Sequence, residues 1–291
     1  SFLHGHRRRV VCVARAPVGD MDGLDTGGDP AIASLPHRWR ARLLFQGLGA
    51  TCEEIDGAAT ASGFGSEADQ HNFAAWLETR FATFPCANSH PQLTARAAKA
   101  LARWRLALPR KVWSRFWKGD ERVLKEINEC CPIVERLQQH LEQRPEGAAP
   151  IEIIDLCSGF GILSLLLSEL LDPAAVKAIH LVDRRWPMRG QPRSSDEAQS
   201  LEHIEAGIWP IKLYTRKCDI TRGREQRQLS KHVIDRAPGG VAILAVHLCG
   251  RLSCSAVEIY QQNLRSVGFL ALKPCCLPGK GARQAEMSWT L

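Results

Sequence analysis

The run from Ile151 to Ser164, Ile-Glu-Ile-Ile-Asp-Leu-Cys-Ser-Gly-Phe-Gly-Ile-Leu-Ser, constrains the fold more than any other segment. An apolar stretch of strand length ends in a carboxylate, two glycines follow, and an apolar helical pattern begins at once. Glycine is needed where a backbone turns sharply and where a ligand must approach the main chain closely. In an open parallel sheet, the crevice outside the carboxyl ends of the strands is where nucleotide-like ligands bind. Downstream the character repeats: a helix over Gly161–Leu171, then strand-like runs at Ala178–Val182, Ile211–Arg216, Val241–Leu248 and Val267–Leu272. This alternation predicts an α/β, Rossmann-like sheet, mostly parallel, with helices on both faces and Ile151–Leu156 central.

Upstream the pattern is different. Residues 1–65 are rich in Gly, Asp, Ala and Pro, with short elements at Val10–Ala14 and Arg40–Phe45, and suggest no function. Residues 66–148 read as a mainly helical accessory region. Ser66 caps a first helix whose Phe73, Trp76, Leu77, Phe81 and Phe84 share a face, and Pro85 ends it. A second helix runs from Pro91 or Thr94 to Leu106, and a third from Asp120 to Gln143 with a break at Pro132. The α/β domain then occupies residues 149–291.

The longest apolar runs, Ile162–Leu171 and Val241–Cys249, fall short of the ~20 residues that span a bilayer, which excludes a membrane-spanning partner role. Eleven cysteines, two pairs of them adjacent (Cys130–Cys131, Cys275–Cys276) and several inside strands, suit a reducing compartment, cytoplasmic or nuclear. The net charge is +7, unevenly spread: residues 91–125 hold ten Lys/Arg against Asp120 and Glu121 alone. Such a stripe attracts a polyanion. Within it, Arg110-Lys-Val-Trp-Ser-Arg-Phe-Trp-Lys118 interleaves cations with aromatics. Either these aromatics stack on RNA bases, or Trp113, Phe116 and Trp117 form the apolar face of a helix.

Two more carboxylates end strands: Asp183 after Ile179–Val182, and Asp219 after the third strand. A nicotinamide enzyme uses a carboxylate at Asp183 but has no need of Asp219. The acidic-glycine turn resembles that of class I S-adenosylmethionine-dependent methyltransferases, with Cys157 standing at the usual first glycine. Ala245-Val-His-Leu-Cys-Gly250 and Leu272-Lys-Pro-Cys-Cys-Leu-Pro278 narrow the likeness. Together the segments resemble a group marked by D-x-C-x-G-x-G, H-L-C-G and K-P-C-C motifs, which includes transfer-RNA 2′-O-methyltransferases. The resemblance covers about residues 120–280.

That resemblance implies S-adenosyl-L-methionine as cofactor, held by Asp155, Cys157, Gly159, Gly161, Asp183 and Asp219. Asp183 would receive the ribose hydroxyls and Asp219 would stand near the adenine amino group. His247, at the end of the fourth strand, is either a general base or a structural hydrogen-bonding group that fixes its loop. His247, Cys249, Cys275 and Cys276 also form a possible soft-metal set, provided the chain bends at Pro274 and Pro278. No N/D-P-P-Y motif is present, which argues against amino-group methylation. The implied acceptor is RNA, bound through residues 91–125; the rivals are a protein or small-molecule acceptor, or a donor-binding module without turnover. The usual fold continues past its fifth strand, so the sheet is expected to be incomplete at its C-terminal side or closed by N-terminal material.

Overall fold

Every residue of β2 (Ile151–Leu156) is buried, as a strand covered on both faces must be. The computed structural model describes residues 12–15, 67–117, 120–188 and 200–274. The other strands are β1 (Cys12–Arg15), β3 (Val176–Asp183), β4 (Lys212–Lys217), β5 (Val241–Leu248) and β6 (Val267–Pro274). The sheet order is β1-β6-β5-β2-β3-β4. Five strands run parallel, and β1 lies antiparallel on β6, from Cys12 opposite Leu272 to Arg15 opposite Phe269. Of the two expectations for the edge beside the last strand, closure by N-terminal chain is the one observed. From β2 the chain proceeds outward through β3 and β4, then returns to the other flank of β2 as β5 and β6. The topological switch point falls at the carboxyl end of β2, where the glycine turn stands.

The helices are α1 (Glu67–Phe81), α2 (Pro85–Ser89), α3 (Pro91–Ala107), α4 (Arg110–Phe116), α5 (Asp120–Glu142), α6 (Ile162–Leu170), α7 (Gly223–His232) and α8 (Arg251–Gln262). α6 packs on one face of the sheet, with α3 and α5 against it. Leu229 of α7 and Ala256, Ile259 and Tyr260 of α8 cover the opposite face, in a cluster with Ile154, Leu156, Val182, Ile243 and Ala245. Alternation along β2 divides its side chains: Ile154 and Leu156 enter that cluster, while Asp155 meets Ser164 of α6. Eight of the nine α6 residues are buried, its leucines each contributing roughly 1.5–3 kcal/mol by leaving water.

The predicted break at Pro132 does not occur, and α5 is continuous from Asp120 to Glu142. Cys130, Cys131, Ile133 and Val134 are all buried around the proline, and this packing offsets the one backbone hydrogen bond that proline forfeits. Strand β1 and the chain from Gln70 onward belong to one unit, and residues 17–69 to another. The short element expected at Arg40–Phe45 lies outside the described residues. Among the described residues, no helix is long and apolar enough to cross a membrane.

Candidate functional site

The turn after β2 is built from left-handed residues. Cys157 has φ 57°, Gly159 φ 54° and Gly161 φ 88°. Cys157 thus adopts the conformation a glycine would take freely, at a cost of order 1–3 kcal/mol. Gly161 is fixed by packing as well as by φ, since a Cβ there would stand 2.4 Å from Leu181 Cδ2. Gly159 differs. A Cβ built on it would meet nothing within 4 Å, so its main chain borders open space. Ser158 N donates to Val182 O at 3.1 Å, tying the turn to β3.

Asp183, the last residue of β3, secures the same turn. Its Oδ2 accepts from the Gly159 N–H at 3.1 Å and its Oδ1 from the Arg185 N–H at 2.8 Å. Trp186, buried, donates from Nε1 to Ser158 Oγ at 3.1 Å. Asp219 follows β4, the next parallel strand outward. Its Oδ1 accepts from the Thr221 N–H and hydroxyl at 3.0 and 2.6 Å, and these bonds hold its carboxyl below the usual range, helped by the nearby Arg222 and Arg184. The structure therefore sets Asp183 and Asp219 at the carboxyl ends of adjacent strands, with Asp183 bonded to the accessible Gly159.

Asp155 has a supporting position. It is 3% exposed, and its Oδ2 accepts from Ser164 Oγ at 2.7 Å. Burial pushes its carboxyl up to about 7; the Ser164 bond opposes the shift, and Glu126 and Asp183 add to it. Burial likewise pushes the Cys157 thiol up to about 12, so it stays protonated at neutral pH.

His203 is a site residue that sequence reasoning missed. It is buried, its Nε2 stands 2.8 Å from Phe160 O, and its ring stacks on that of Phe160 at 4.0 Å and 2°. Burial brings its pKa down to about 4, so the ring is neutral and donates from Nε2 to the carbonyl inside the glycine turn. Phe160 also contacts Phe116 of α4, with ring centroids 6.0 Å apart. No spacing in the sequence links His203 to the turn.

The aromatics of α4 belong to the core. Trp113, Phe116 and Trp117 are all buried, and Trp113 stacks on Trp117 at 5.2 Å. They are not available to stack on bases. Several cations of residues 91–125 also tie the helical layer to the sheet domain. Arg103 pairs with Glu169, Arg115 with Glu202 at 2.8 Å, and Arg96 donates to Leu170 O at 2.5 Å.

His247 lies at an irregularity in β5, where the register with β6 shifts between Val246 and Leu248. Its φ of 61° is rare for a non-glycine residue, and the shift turns its side chain outward. His247 Nε2 is 3.0 Å from Glu129 Oε2 of α5. Glu129 is buried, and the buried Lys273 donates from Nζ to the Glu129 carbonyl at 2.5 Å. Glu129 is a second residue that motif reading overlooked. Its one signal is a carboxylate among the apolar positions of α5.

The soft-metal set is not assembled among the described residues, where no group of three His, Cys, Asp or Glu side chains is placed to hold an ion. Cys249 is disulfide-bonded, so it offers no thiolate, while Cys275 and Cys276 lie outside the described residues. Cys86, Cys130, Cys131, Cys157, Cys218 and Cys254 form no disulfide. Comparison with protein-family models, with curated proteins and with solved structures gives no match to this chain.

Proposed function

We propose that the chain is an S-adenosylmethionine-dependent methyltransferase acting on RNA. The observation that carries the reading is the junction of Gly159 with Asp183: an open glycine main chain at the switch point, held by the carboxylate that ends the neighbouring strand. The residues fit a nucleoside-bearing cofactor. Gly159 admits close approach, Asp183 retains acceptor capacity beyond its two backbone bonds, and Asp219 presents a further carboxylate on the next strand. When bound, the cofactor's sulfonium supplies an electrophilic methyl group. The protein's part is then alignment and exclusion of water.

His247 is the group suited to take the proton that an acceptor hydroxyl loses, because imidazole titrates near neutrality. Glu129 orients that ring through its 3.0 Å contact with Nε2. A ribose hydroxyl fits this pair better than an amino group. Calorimetric titration with S-adenosylmethionine, followed by transfer of labelled methyl to total RNA and to protein extract, tests the reading. Label in protein alone would replace the RNA acceptor, and binding without transfer would leave a donor-binding module.

A further inference from the structure

Four of the ten cations of residues 91–125, Arg96, Arg103, Arg105 and Arg115, make contacts within the fold, and a second concentration of charge lies at the β4 edge. From Lys212 to His232 the chain carries seven Lys/Arg against Asp219 and Glu225. Both carboxylates are satisfied locally: Asp219 by Thr221 and Arg222, and Glu225 by the Asp219 N–H at 2.6 Å and by Arg222 at 3.2 Å.

Where β4 leads into α7, the surface opens into a cavity of about 440 Å³. Arg216, Lys217 and Arg224 supply its cations against one carboxylate, Glu225, and Met188 and Leu229 supply an apolar wall. Arg216 is braced from the sheet: its Nε donates to His180 Nδ1 at 3.1 Å, and His180 Nε2 stands 2.6 Å from Glu152 Oε2. A guanidinium held in this way binds an anion with little further ordering. Helical spacing sets Arg227 and Lys231 on the face of α7 that carries Arg224 and Gln228, so the charge continues beyond the cavity. Cys218 lines the cavity, and the next residue is Asp219 of the candidate crevice.

We infer that this cavity holds a phosphate-bearing nucleotide unit of a single-stranded polynucleotide, with Arg216, Lys217 and Arg224 on the phosphate and Met188 beside the base. The volume is in the range of small-ligand pockets, and cations beside an apolar wall match phosphate beside base. The charge that runs on along α7 favours a polymer over a lone nucleotide. This inference rests on the reading of the acceptor as RNA.

Fluorescence anisotropy with a labelled single-stranded RNA, across a salt series and on the full chain, tests it. The charge-reversed double variant Lys217→Glu/Arg224→Glu and its neutral counterpart Lys217→Gln/Arg224→Gln are compared with Arg110→Glu/Lys111→Glu. In both cavity variants Kd should rise at least about tenfold, and the log–log salt slope should shrink by roughly 1.4, the value for two phosphate contacts on a single strand. Melting temperature and S-adenosylmethionine affinity should not change. If the unaltered protein binds RNA and both cavity variants bind it equally well, the cavity inference fails while the RNA reading stands. If the unaltered protein binds no RNA at low salt, both fail.

Discussion

His247 and Glu129, 118 positions apart in sequence, meet at 3.0 Å where α5 crosses the carboxyl end of β5. One is exposed and in a left-handed conformation; the other is buried. That strained conformation motivates the test of His247 as the proposed general base. His247→Asn should lower methyl transfer about 10²–10⁴-fold, the usual range for a general base, without weakening donor binding. Glu129→Gln keeps a hydrogen-bonding group beside the ring, so it should lower methyl transfer less than His247→Asn does, with donor affinity unchanged. Rates equal to the parent's in Glu129→Gln would make Glu129 a structural contact only.

Asp155 gives a pH signature in stability. Its folded pKa is about 7, above the ordinary carboxylate value of 3.8, because of burial. Between those values the folded state holds the proton more tightly than the unfolded chain, so this group's contribution falls as pH rises from about 4 to about 7 and is level above that. Asp155→Asn removes the decline. The variant should be more stable than the parent at pH 8, by a few kcal/mol at most, and the difference should vanish near pH 4. Denaturant midpoints at the two pH values measure it; a constant difference would contradict the assignment.

The two turn glycines should separate stability from binding. Gly161→Ala places a Cβ against Leu181 at positive φ, and should cost about 1–3 kcal/mol of stability. Gly159→Ala meets no atom of the protein, so its stability cost is limited to φ strain, ~1 kcal/mol. Its effect should appear in donor affinity instead. Thermal melts paired with calorimetry distinguish the two outcomes.

Much of the sheet could be read in the sequence because buried parallel strands are short apolar runs, and Asp183 and Asp219 end two of them. Closure by N-terminal chain is one of two expectations the sequence allows, but which residues pair, and in what register, could not be read. The pairing of β1 with β6 joins four residues to a strand more than 250 positions away, and nothing local specifies such a partner. Trp113, Phe116 and Trp117 were ambiguous for a different reason. The same spacing serves a core face or a stacking platform, and only burial decides. Glu129 and His203 act through long-range contacts to His247 and Phe160, so no motif window contains both members of either pair.

The most direct measurement is calorimetric titration of S-adenosylmethionine into the unaltered chain and into Asp183→Ala. Asp183 closes the turn at Gly159 and is the carboxylate proposed to receive the ligand. The unaltered chain should bind, and the variant should lose about 1.5–3 kcal/mol of affinity, the scale for hydrogen bonds to a charged group. No binding by the unaltered chain, or equal affinity in the two proteins, would contradict the assignment of this crevice.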